Sequence, residues 1–162
     1  MHKQQIKTLL INALISPEMG ILLLAMACSV FFGSRIALAL SASSVSDAKL
    51  RFLIGAPIGC FMFALKDVKE VLFPDAANRH LLHEWPDYPV LQGTCYIGLA
   101  YLLLFMGIAA AFYIFPISPK SALGAPALAA SIVGSIVSYF TIFHAKNTVR
   151  HLLEKEHTST KH

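Results

Sequence analysis

Tyr96–Phe115, YIGLAYLLLFMGIAAAFYIF, runs for twenty residues without a charged side chain. As a helix rising 1.5 Å per residue, such a run reaches about 30 Å, the thickness of a bilayer's hydrocarbon core. Hydrocarbon offers no hydrogen-bond partner to a backbone, so a stretch of this length crosses as a helix. Other apolar stretches lie on both sides of it. Spans at about residues 19–40, 50–66, 95–115 and 122–143 predict an all-α integral membrane protein, a bundle of four transmembrane helices in one membrane domain over residues 1–162. Charged residues make up 14% of the chain, against about 25% in soluble domains.

Ser16-Pro17-Glu18 reads as a helix start, with serine as N-cap, proline at the first helical position and an acid in the first turn. From Met19 to Leu40 the only charge is Arg35. Ser118-Pro119 repeats the cap-then-proline pattern before the last span. The second span is the weakest. Phe52–Leu65 is fourteen residues long and contains Gly55-Ala56-Pro57-Ile58-Gly59, a length that also suits a re-entrant segment. Leu50 extends it, while Arg51 and Lys66 can snorkel to the two surfaces. A full crossing is therefore the first reading, and three spans plus a re-entrant segment the second. Met1–Ile15 carries Ile6, Leu9, Leu10, Ala13 and Leu14 at helical spacing, which predicts a short amphipathic helix in the membrane interface. Ala37-Leu38-Ala39 and Met26-Ala27-Cys28 fit cleavage signals poorly. Glu18 interrupts one apolar run and the other continues past Cys28, so the segment is read as retained.

Between the second and third spans lies the long polar interval Lys66–Gly93, the loop 66–94; the tail 144–162 is polar too. Val68, Val71 and Leu72 continue a helical face to Phe73-Pro74. Asp75 can cap a short helix through about Glu84, and Pro86 and Pro89 predict a turn before Thr94. With four spans, Lys3, Lys7, Lys66, Lys69, Arg79, Lys146, Arg150, Lys155 and Lys161 share one side, against Lys49, Arg51 and Lys120 on the other. The positive-inside rule then makes the loop, the tail and the C-terminus cytoplasmic, and in the four-span reading the N-terminus also. A plasma or inner membrane is the expected location. The basic residues flank apolar blocks and form no clustered face, which excludes nucleic acid as a partner. Cys28, Cys60 and Cys95 form no CxxC pair and read as small buried thiols.

Small residues recur at four-residue spacing in every span: Ala25/Ser29/Gly33/Ala37, Gly55/Gly59, Gly107/Ala111 and Ala130/Gly134/Ser138. Such faces let helices approach closely in lipid, so Ser29, Gly33, Gly55, Gly59, Gly107, Gly134 and Ser138 are the candidate packing residues. Arg35 is the one intramembrane cation and is read as snorkelling to the outer surface. His80-x-x-His83-Glu84 sets two imidazoles one turn apart, a weak metal candidate. Solvated histidines are the simpler reading, so no metal is assigned, and no cofactor follows from the chain. Trp85 and Tyr88 beside prolines suit anchoring at the headgroups. Together with His80, His83, Glu84 and Asp87 they form the candidate partner-binding surface.

No catalytic constellation stands out. The first functional reading is a multi-pass protein acting through protein–protein contacts, an accessory subunit or an inhibitor or immunity-type protein, docking through loop 66–94 and the tail. Its expected partners are the lipid bilayer and another membrane protein or a second copy. The alternatives are a metal-binding or membrane-surface enzyme using His80, His83 and Glu84, and an oligomeric channel or small transporter.

Overall fold

Ser16 caps the first helix: its Oγ accepts a hydrogen bond from the Met19 N–H at 3.3 Å, with Pro17 and Glu18 in the first turn. That helix, α1, is Pro17–Ala42. It ends without a glycine, because Ser41 and Ser43 donate their hydroxyls to the Leu38 and Leu40 carbonyls at 2.8 and 2.6 Å. The Leu40 carbonyl, one of those without an intrahelical partner, also accepts the Ser43 N–H at 3.2 Å. The computed structural model describes residues 16–44, 46–74, 82, 85–115 and 117–159. The predicted N-terminal amphipathic helix and most of the predicted short helix after Asp75, with His80, His83 and Glu84, lie outside them.

After the serine-rich hinge come α2, Asp47–Phe52, and α3, Gly55–Leu72. Pro57 explains why they are two helices. It has no N–H to return to the Leu53 carbonyl, and the Ala56 N–H takes that carbonyl instead at 3.0 Å. Helix α4, Tyr88–Ile114, starts earlier than the predicted span at 95. Pro89, expected to force a turn, sits in its first turn, where a missing N–H costs no intrahelical bond. The last helix, α5, is Gly124–Ser159. It is capped differently from expectation: the Ser121 Oγ accepts from the Gly124 N–H at 2.9 Å, and Pro119 lies in the turn before. Beyond Gly134 the helix meets no glycine or proline, so it continues through the predicted boundary at 143.

Among the described residues the fold is all helical, and three helices are long and apolar enough to cross a membrane: Pro17–Ala42, Tyr88–Ile114 and Gly124–Glu154. Helix α3 does not qualify on composition, because Lys66, Asp67, Lys69 and Glu70 fill its last turns. Helix α5 packs against α1, α3 and α4, and α3 packs against α4. Gly33 meets Ala122 while Glu18 meets Thr141, so α1 runs antiparallel to α5. Three buried layers stack along α5. The first is Ile54, Ala109, Phe112 and Leu128; the second Ala64, Val68, Leu102 and Ile142; the third Val71, Leu82, Tyr88, Cys95, Ala145 and Val149. The order of residues in these layers sets α3 parallel and α4 antiparallel to α5, an up-down-up-down bundle.

Candidate functional site at the charged end of the bundle

The parallel course of α3 and α5 decides where the charges meet. Each helix leaves its apolar stretch at the same end, α3 after Leu65 and α5 after Phe143. Asp67 and Lys146 therefore land side by side. The Lys146 Nζ lies 2.7 Å from Asp67 Oδ1 and 3.2 Å from Glu70 Oε1. Asp67 is only 6% exposed, whereas Glu70 reaches solvent. The Tyr139 phenol, two turns before Lys146, faces the same Asp67 carboxylate. On the other flank of α5, the Thr141 hydroxyl meets the buried Glu18 carboxylate at 3.1 Å. One turn beyond Lys146, Arg150 and Glu154 pair at 3.3 Å, both exposed, where an ion pair contributes little.

The third core layer ties the surroundings of this cluster together. The Tyr88 hydroxyl donates to the Val71 carbonyl at 2.8 Å, joining the end of α3 to the start of α4. Leu82, from the connection between these helices, is buried with Val71, Ala145 and Val149, and Trp85, Leu91 and Leu153 pack against them. The end of α3, Leu82 and Trp85 of the connection, the start of α4 and the extension of α5 are thus one packed unit, joined by buried apolar surface and a satisfied hydrogen bond.

Of the candidate partner-binding residues, Asp87 is exposed on this unit, Trp85 is half-buried, and Tyr88 points inward as its support. His80, His83 and Glu84 lie outside the described residues. No group of three metal-ligating side chains occurs among the described residues. The candidate packing residues divide. Gly33 lies against Ala122, Gly134 against the Phe105 ring, and Ser138 is buried with its Oγ unbonded among the described residues. Ser29 bonds back to the Ala25 carbonyl at 2.8 Å. Gly55, Gly59 and Gly107 have nothing within 4 Å of an added Cβ. Arg35 is exposed on α1, two residues past the Gly33–Ala122 contact and far from Glu18.

Sequence reasoning missed the Asp67–Lys146 pair. Its signal was present: in an up-down bundle the second and fourth helices are parallel, and each carries an opposite charge just past its apolar run. Searches of family models, curated proteins and solved structures find no match to this chain. What the fold and the charged end define is a class, an all-helical membrane-protein bundle with three helices long and apolar enough to span. The functional reading rests on the chain's own residues.

Proposed function

We propose that this chain is a four-span membrane protein that acts through protein contacts, as an accessory subunit or an inhibitor or immunity-type protein. Its docking surface is the unit formed by the α3–α4 connection and the α5 extension. One observation carries the reading. The two polar regions of the chain, far apart in sequence, share a core around Val71, Leu82, Tyr88 and Val149, so the described residues that flank this core, Trp85 and Asp87 among them, are held in place before any partner arrives. A surface already ordered loses less freedom on binding.

The fourth crossing is α3, led in by α2. In its favour, α3 contributes to the second and third core layers, with Val71 near its end in the third, and Ile54, the residue just ahead of it, lies in the first. Ile58, Met62, Phe63 and Leu65 stand exposed on its outer side, where lipid would cover them. The excess of Lys and Arg at the Lys66–Lys146 end then puts that end in the cytoplasm. Single cysteines test this in a chain whose three native cysteines are replaced by Ala. Lys49→Cys and Lys69→Cys are expected to react with a membrane-impermeant maleimide from opposite sides of sealed vesicles. Labelling of both from one side would eliminate the fourth crossing.

Docking is tested by purification from native membranes in mild detergent and intact-complex mass. The expected result is a stoichiometric second protein, released when exposed Asp87 and His151 are changed by Asp87→Lys and His151→Glu. A lone chain in every detergent would sink the docking reading.

A further inference from the structure

We infer that the charged end of the bundle holds the headgroup of an anionic phospholipid, in the cleft between α3 and α5. The cleft encloses about 510 Å³, within the usual range of about 300–1,000 Å³ for small-ligand sites. Lys66 and Lys69 line one wall, Lys146 and Arg150 the other. Val71 and Val149 form apolar lining, and Phe73, 69% exposed, borders it.

The charges are not equivalent. Lys146 is occupied by Asp67 and Glu70, and Arg150 by Glu154. Lys66 and Lys69 are three residues apart on one face of α3, and neither has an ion-pair partner among the described residues. Two ammonium groups with no ion-pair partner among the described residues, beside an arginine that gives its Nε to Glu154, make a phosphate site, the lysines acting as point charges and the guanidinium Nη groups as directional donors. Among the described residues Glu70 is the one acid lining the cleft, and its contact with Lys146 offsets its charge.

Position selects the source of the phosphate. Lys66 directly follows the last apolar residue of its run, so the cleft opens where hydrocarbon would give way to the headgroup layer, some 5–7 Å deep. Basic pockets between helices at that depth take anionic headgroups. A zwitterionic headgroup would bring its own cation against the free lysines. The inference needs this end at headgroup level and does not depend on a protein partner.

The test is native mass spectrometry of the full chain in detergent, titrated with dioleoylphosphatidylglycerol or dioleoylphosphatidylcholine. One phosphatidylglycerol per chain should be held at least about tenfold more tightly than phosphatidylcholine. Lys66→Gln with Lys69→Gln should weaken it about fivefold for each charge removed, and Arg150→Gln should weaken it independently. Lys49→Gln, which removes the same charge at the opposite end, should change nothing. Equal binding of the two lipids, or a preference that survives K66Q/K69Q, would overturn the inference. So would inorganic phosphate displacing the lipid at comparable concentration, which would make this a site for the free anion.

Discussion

Lys146→Met is expected to destabilise the bundle by about 3 kcal/mol, because it strands a buried carboxylate. Asp67 is 6% exposed, and its cationic partner is Lys146 at 2.7 Å. Breaking a buried pair from one side costs about 3–5 kcal/mol, mostly the penalty of the unpaired charge that remains. The Lys146 side chain keeps 18% exposure, which puts this case at the lower end. Asp67→Asn should cost less, about 1–2 kcal/mol, since Lys146 can still turn to Glu70 and solvent. The double variant D67N/K146M should lose only about 2–3 kcal/mol, less than the sum of the two single losses, a coupling of about 2 kcal/mol. Unfolding by sodium dodecyl sulfate in mixed micelles, followed by helical circular dichroism, reads all three. Strictly additive losses would show that the two groups do not act as a pair. The exposed Arg150–Glu154 contact is the internal control: Arg150→Ala should move stability by no more than about 0.5 kcal/mol. Distance alone does not separate these two ion pairs, at 2.7 and 3.3 Å. Burial does.

Hydropathy was informative where lipid is the constraint and silent where protein is. The start of α1 was legible because Ser16, Pro17 and Glu18 act within one turn. The ends of α4 and α5 at the charged side were not. Apolar runs mark the edge of hydrocarbon, and a helix without a breaker has no reason to stop there, so α5 continues to Ser159 and α4 begins already at Tyr88. Pro89 illustrates the ambiguity of a single residue, since proline both disrupts a helix interior and favours a first turn. The packed unit around Val71 and Tyr88 was legible only in part. Tyr88 was visible as an aromatic beside prolines, but its hydrogen bond to Val71 depends on tertiary placement that no local pattern encodes. The Asp67–Lys146 pair required knowing that α3 and α5 run parallel.

Gly134→Ala is the second large effect, and it shows what residue spacing leaves open. A Cβ at Gly134 would overlap the Phe105 ring, which is itself completely buried. Relief requires the buried ring to shift, and overpacking of this kind should cost about 1–3 kcal/mol, while Gly134→Leu should prevent the native packing of α4 on α5. Phe105→Leu combined with Gly134→Ala should restore part of the loss, because a shorter side chain leaves room for the methyl. Gly59 and Gly107 have equally regular small-residue spacing, yet an added Cβ there meets nothing within 4 Å. Gly59→Ala and Gly107→Ala should therefore be neutral, or slightly stabilising through the better helix propensity of alanine, by up to about 1 kcal/mol. The same micelle unfolding experiment measures the whole set. A loss at Gly59 or Gly107 as large as at Gly134 would mean that this face is closed in the membrane against another helix. Combined with a doubled mass in mild detergent, it would identify that helix as belonging to a second copy of this chain, and self-association would replace docking of a different protein as the organising contact.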